Sequence, residues 1–298
     1  MKHYSVLSKE AIDKLKINPK GVYVDATLGL GGHAKLIAEK LEGGRLIAFD
    51  QDLEALTFAK KELKNYSNII FINDNFKNLK RQLENNNISK IDGIIYDLGT
   101  SYFQLTTESR GFTYHGEATL DMRMDQNQSL SAYEVINTYS EKELADIFWK
   151  FGDEKQARTL AKKIVEKRAI EKIKTNIQLN EIIKDVKGYS KKKHPSKNIF
   201  QAIRIEVNKE LEVLETSLID ALSLLKVGGI CVVISFHSLE DKIVKNIFWK
   251  NKEDIIISEM GNQHRYHTLR TVYPSTKELL ENKASRSAKL RTIKRIHD

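Results

Sequence analysis

The side chains with the most evident chemistry in this sequence are aspartates set beside glycines. Val22-Tyr-Val-Asp25-Ala-Thr-Leu-Gly29-Leu-Gly31-Gly32-His33 runs from a short β-branched stretch into a glycine-rich turn. Glycines let a backbone turn tightly and approach a ligand, and a helix start behind them offers unpaired N–H donors. A second acid, Asp50, ends the apolar run Arg45-Leu-Ile-Ala-Phe49 and stands 21 residues after Gly29. That is close to the ~20-residue interval at which a carboxylate accepts hydrogen bonds from a ribose. The full G-x-G-x-x-G dinucleotide fingerprint is missing, and Asp25 is a poor neighbour for a pyrophosphate. Acids at both strand ends suit instead a nucleoside that carries positive charge, as S-adenosylmethionine does.

Such groups must be held by strands, and the chain supplies them in alternation with helices. Strand 22–25 is followed by a helix from about 33, with Ala34, Ile37, Ala38 and Leu41 on one face. Strand 45–49 precedes a helix opened by Asp52, and strand 69–72 precedes one bearing Leu79 and Leu83. A fourth strand, 93–96, runs into Asp97-Leu-Gly99. This rhythm predicts an α/β, doubly wound, mostly parallel Rossmann-like sheet that binds ligands at the carboxyl ends of its strands. Asp25, Asp50, Asn73, Asp74 and Asp97 all fall at such ends.

The rhythm stops after residue 105. A polar loop with Gly111 and Gly116 leads to helical patterns, the first opened by a Ser140/Glu143 capping box. Residues 106–200 therefore read as an inserted helical domain, and 1–105 with 201–298 as the sheet domain. A long amphipathic stretch from Phe200 to Leu218 returns to the buried strand Ile230-Cys-Val-Val-Ile234, which ends in Ser235-Phe-His237. Residues 255–257 and 290–296 read as a terminal antiparallel pair.

The chain has 298 residues, 41% hydrophobic and 30% charged, with a formal charge of +9. That is a soluble globular composition, and its basicity favours a polyanionic partner. The single Cys231 reads as a core thiol and excludes an internal disulfide or a cysteine zinc framework. No signal-length or membrane-length apolar run occurs, so a cytoplasmic protein with no membrane partner is expected.

Further motifs appear in a fixed order: Gly31-Gly-His33, Phe49-Asp50, Ile95-Tyr-Asp97-Leu-Gly99, Arg110-Gly-Phe112, Leu120-Asp-Met-Arg-Met124, Phe200 to Leu211, Ser235-Phe-His-Ser-Leu-Glu-Asp241 and Ser285 to Arg291. Together they resemble the bacterial 16S rRNA (cytosine-N4) methyltransferases across nearly the whole chain. The resemblance implies a methyltransferase sheet with an inserted helical domain that recognises RNA, and S-adenosylmethionine as cofactor. It places cofactor contacts on Gly31, Gly32, His33, Asp50, Phe76, Asp97 and Gln104. The partner it implies is 16S rRNA or the assembled small ribosomal subunit, and a homodimer is left open. Thr100-Ser-Tyr-Phe-Gln104 and His194 to Phe200 depart from the family's usual strings, which touches details of RNA contact near Tyr102 and Lys197.

An exocyclic amine has its lone pair delocalised into the base, so positioning it in line with a methyl group lowers the barrier by ~7–11 kcal/mol. Asp97 is the expected catalytic group, serving cofactor, amine or both. Ser235, Phe236, His237 and Arg204 are the expected substrate contacts, Phe236 by stacking a base and His237 by hydrogen bonding. Such a pocket requires an opened or single-stranded base. Lys191 to Lys193, Lys197 and a basic tail including Arg291 and Arg295 are candidate phosphate contacts, which would make binding salt-dependent. Two rivals remain: a non-catalytic RNA-binding assembly factor on the same fold, and a nicotinamide-dependent dehydrogenase.

Overall fold

The computed structural model describes residues 5–114, 116–188, 194–253, 255–258 and 261–298; Lys191 to Lys193 lie outside them. The chain divides into two compact units, Met1–Gly99 with Leu211–Asp298, and Thr100–Glu210.

The first unit opens with α1 (Ser8–Leu15), β1 (Val22–Asp25), α2 (Gly32–Ala38), β2 (Arg45–Asp50), α3 (Leu53–Glu62), β3 (Ile69–Asn73), α4 (Leu79–Asn85) and β4 (Ile91–Asp97). The second unit holds α5 (Tyr102–Thr106), α6 (Ala132–Thr138), α7 (Glu141–Gly152), α8 (Ala157–Ile170), α9 (Asn176–Lys187) and α10 (Lys197–Asn208). The chain then re-enters the first unit through α11 (Glu210–Leu224), β5 (Leu225–Ser235), α12 (Ser238–Lys252), β6 (Ile255–Ser258), β7 (Gly261–His264), β8 (Tyr266–Thr268), α13 (Thr276–Glu281) and β9 (Lys289–Arg295).

Seven strands form one sheet in the order β3-β2-β1-β4-β5-β9-β8. The first five pair in parallel, and β9 pairs antiparallel with both β5 and β8. Strand order reverses between β1 and β4, which is where open α/β sheets leave a crevice for ligands. Asp25 pairs with Ile95 there, so Asp97 projects two residues beyond it.

Alternation along the strands divides the core between two faces. Val24, Ile47, Phe49, Ile94, Tyr96, Cys231 and Val233 pack with Leu79, Leu83, Leu214, Leu218 and Val244. Tyr23, Leu46, Ala48, Ile95, Val232 and Ile234 pack with Ile12, Leu15, Ala34, Ile37, Leu56 and Ala59. The two-residue period sends neighbours to opposite faces, and both faces are covered by helices, so each strand reads as continuously apolar. Each fully buried aliphatic or aromatic side chain contributes about 1.5–3 kcal/mol, which makes the sheet a stiff base for the groups at its ends.

The second unit has its own core around Phe148, Leu160, Ile164, Leu179, Ile183, Phe200 and Ile203. Buried amides lock its loops: Asn208 accepts from Met124 N and donates to Met122 O, each at 2.8 Å. Met122 takes a left-handed φ of 59°, and Arg123 forks on to Asp121. The Leu120 to Met124 motif is thus a tightly tied loop.

Three local expectations are corrected. The stretch from Phe200 to Leu218 is two helices, because Lys209 adopts a left-handed φ of 50° and ends α10. Residues 255–257 and 290–296 do not pair with each other: Ile255 to Ser258 pairs with Gly261 to His264, while β9 inserts beside β5. The division between units falls at 100 and 210, because α10 packs into the helical core.

Candidate active site

Asp25 closes β1 and is buried. Its Oδ1 accepts from Thr27 N at 3.1 Å, while its Oδ2 is sealed from solvent with no hydrogen-bond partner. Burial is the largest influence on this carboxyl and, with the nearby Asp50 charge, outweighs amide hydrogen bonds from Thr27 and Ala34; its pKa is pushed up to about 7. The turn that follows depends on glycine. Gly31 has a φ of +83° and would bring a Cβ within 2.8 Å of Leu63 Cδ1, while a Cβ on Gly32 would collide with Ser5.

His33, in the first turn of α2, is buried, with Nε2 3.2 Å from Val6 O and Nδ1 3.5 Å from Asp97 Oδ2. Asp97 ends β4, and its backbone N–H donates to Thr27 Oγ1 at 2.6 Å. Its side chain keeps 24% of its area exposed, yet its Oδ1 is sealed and has no hydrogen-bond partner. Burial first, then the neighbouring carboxyls of Asp25 and Glu240, hold its pKa well above the usual carboxylate range. Asp97 therefore combines an open flank with a strengthened affinity for a proton.

Asp50, at the end of β2, accepts from Gly29 N at 2.8 Å and from Asp52 N at 2.9 Å. It ties the glycine turn to β2. Capping of α3 falls to Asp52, which accepts from the amides of Glu54 and Ala55. Phe76 is partly buried and meets Tyr96 edge-on, with ring centroids 5.6 Å apart.

Beyond β5, Ser235 is buried, and Phe236 is partly buried with Cδ2 3.8 Å from where a Gly99 Cβ would stand. His237 is the N-cap of α12, its Nδ1 3.4 Å from Glu240 N. Its Nε2 stands 3.0 Å from Glu240 Oε1 without hydrogen-bond alignment. Glu240 in turn accepts from the amides of Phe236 and His237 at 2.7 and 3.2 Å. Glu240 is thus a buried carboxyl bearing on Asp97 that the sequence motifs do not single out. A signal for it exists in the His-Ser-Leu-Glu spacing, which is that of a capping box with histidine in the serine position.

Gln104 and Arg204 lie in the second unit. Gln104 is buried at the third position of α5 in a capping box with Ser101. Arg204 is forked on to Glu210 at 2.8 and 2.9 Å, so its charge is already engaged rather than offered to a phosphate.

Comparison with known proteins then decides the family. The profile of the MraW methylase family matches residues 1–296. The chain belongs to the MraW methylase family. Family members include the ribosomal RNA small subunit methyltransferase H of Ureaplasma parvum, 46% identical over 300 residues that cover 98% of this chain and 97% of that one. The protein of the same name from Oceanobacillus iheyensis is 46% identical over 309 residues, covering 99% and 95%. Among solved structures, an rRNA methylase from Streptococcus thermophilus aligns over 97% of this chain and 94% of that one, at 13% identity and a TM-score of 0.43. As an MraW methylase the chain is a methyltransferase whose cofactor is S-adenosylmethionine, which removes the dehydrogenase alternative.

The residues present fit that cofactor. Beside the turn Asp25 keeps a buried carboxyl oxygen with no hydrogen-bond partner, polar capacity that a cationic group would satisfy, and Gly31 supplies the φ of +83° that the turn needs. Among the described residues, no helix is long and apolar enough to cross a membrane.

Proposed function

We propose that this chain methylates the exocyclic N4 amine of a cytidine in 16S rRNA, using Asp97 as the group that meets the amine. The observation that carries this reading is the state of Asp97: a carboxyl at the sheet's switch point that keeps 24% of its side chain exposed, in surroundings that raise its proton affinity. The RNA class is supported by the names of relatives 46% identical across nearly their whole length, and by the formal charge of +9.

Gly31, Gly32, His33, Asp50 and Phe76 hold the cofactor, which supplies an electrophilic methyl group. Asp50 would receive the ribose hydroxyls, and Asp25, when ionised, would offset positive charge. The second unit contributes Gln104 to the cofactor and residues 106–200 to RNA recognition, on the strength of the family resemblance. Phe236 stacks the opened cytosine.

Ionised Asp97 accepts a hydrogen bond from the amino group, which favours the pyramidal, nucleophilic nitrogen. A methyl group supplied by bound S-adenosylmethionine would leave its sulfur as the neutral thioether and make the amine nitrogen cationic, and Asp97 would take one N–H proton. Neutral N4-methylcytidine results, and the protonated carboxyl returns its proton to solvent. A carboxyl of ordinary acidity would be a weaker base for this step, so the crowding of Asp25, Asp97 and Glu240 serves the reaction.

The reading is tested by incubating small ribosomal subunits, or their RNA, with the protein and methyl-labelled S-adenosylmethionine, then resolving the nucleosides. Label in N4-methylcytidine is expected; label in a C5-methylated or ribose-methylated nucleoside would sink the assignment. A purely structural assembly factor would transfer no label, and cells would tolerate Asp97→Ala.

A further inference from the structure

At the opposite edge of the sheet from Asp97 lies a hollow of about 300 Å³ whose lining includes Lys90, Ser223, Asn251, Arg265, Tyr266 and Arg295. Its place follows from the strands. Lys90 immediately precedes β4, Leu225 opens β5 and Arg295 closes the antiparallel β9, so all three elements bring their ends to one edge. The length of β4, roughly 20 Å at ~3.3 Å per residue, separates this edge from Asp97.

The charges there are unusual. Lys90 Nζ donates to Ser223 O at 2.8 Å, and Arg295 Nη1 donates to the same oxygen at 3.4 Å and to Leu225 O at 2.9 Å. Two cations thus converge on one neutral carbonyl, and Arg265 lines the same hollow. Carbonyls orient Lys90 and Arg295 without neutralising them. The carboxylate that meets Arg295 is Asp298, 3.3 Å from Nη2, and its side chain is 91% exposed while that of Arg295 is 10% exposed. An exposed carboxylate of that kind offsets little of the repulsion. Holding like charges together in a half-enclosed hollow is favourable when an anion enters, and the planar fork of an arginine beside a lysine suits phosphate oxygens.

We propose that this hollow is a phosphate subsite that takes a backbone phosphate of the RNA, anchoring the substrate on the sheet edge remote from the reacting base. The RNA source rests on the rRNA reading above and on the net charge of +9. A free phosphate or phosphate ester shares the chemistry and is separated from RNA by the test.

The measurement is binding of a fluorescein-labelled small-subunit rRNA fragment to the full chain across a salt series. Lys90→Glu and Ser223→Glu, both at exposed positions, are compared with the wild type. Each phosphate that the protein neutralises contributes about 0.7–0.9 to the slope of log affinity against log salt. Both variants are expected to bind RNA about tenfold more weakly at low salt, with a slope smaller by about one. Their affinity for S-adenosylhomocysteine by calorimetry should match the wild type, which reports an intact fold and cofactor cleft. Unchanged RNA affinity and slope in both variants would overturn the proposal. If inorganic pyrophosphate binds the wild type but not Lys90→Glu while RNA binding is indifferent, the hollow takes a small phosphate and the RNA assignment is overturned. A methylated base other than cytosine, found together with a reduced slope, would defeat the N4 reading and leave this subsite standing.

Discussion

Asp25 and Asp97 occupy neighbouring strand ends, and each keeps an oxygen sealed from water without a donor. Burial favours the neutral acid, so each carboxyl binds its proton more tightly in the folded chain than in the unfolded one. For Asp25 the folded value is about 7 against 3.8 for the free group. Between these values the folded chain holds a proton that the unfolded chain has lost, so stability falls as pH rises through that window and is lowest above it. Asp25→Asn removes this penalty, which is on the order of a few kcal/mol. Denaturant titrations should show the wild type losing stability from pH 5 to pH 8 while the variant loses much less; parallel curves would contradict the burial argument. Asp97 yields a kinetic counterpart. Because it must be ionised to receive the amine's proton, methyl transfer should rise with pH through its raised pKa, and Asp97→Asn should flatten that limb of the profile.

At the scale of elements, the glycine turn and the loop tied by Asn208 are the parts most sensitive to small changes. Gly31→Ala forces a Cβ on to a φ of +83° and against Leu63, so the turn must shift. Calorimetry should show loss of S-adenosylhomocysteine binding of at least tenfold, with the sheet still folded by circular dichroism. Asn208→Ala strips partners from Met124 N–H and Met122 C=O in the buried loop of the helical unit. At about 1–3 kcal/mol per buried unsatisfied group, thermal unfolding should begin several degrees lower.

These two elements also mark how far the sequence can be read. The glycine turn, Asp50 and the capping role of Asp52 are legible because strand, turn and helix follow one another locally and each has its own signature. Lys209 is not, since a lysine carries no sign that it will turn left-handed; the break is fixed by Asn208 bonding a loop more than eighty residues away. The partner of β9 is equally hidden, because strand pairing is a long-range choice that the mixed basic and apolar run 289–295 does not specify. Arg204 reads as a substrate contact in the sequence, and only the helix break brings Glu210 across to it. Glu240 is hidden inside a familiar string, and only its two amide contacts and its influence on Asp97 disclose its electrostatic weight.

On the scale of the whole molecule, one mostly parallel sheet sets the acids of β1, β2 and β4 at one edge, and the β4–β5–β9 ends gather cations at the other. A helical unit with a separate core is inserted between β4 and α11. The stiff sheet makes the spacing of its strand ends a property of backbone register, so the chemistry at Asp97 should be separable from cofactor binding. Single-turnover methyl transfer to small ribosomal subunits, run at saturating S-adenosylmethionine for wild type and Asp97→Asn, tests this most directly. With the amine's proton acceptor removed, the rate constant should fall by about 10²–10⁴ while cofactor affinity stays within tenfold. An Asp97→Asn rate equal to the wild type would show that the amine meets some other group, and would contradict the central assignment of Asp97 as its proton acceptor.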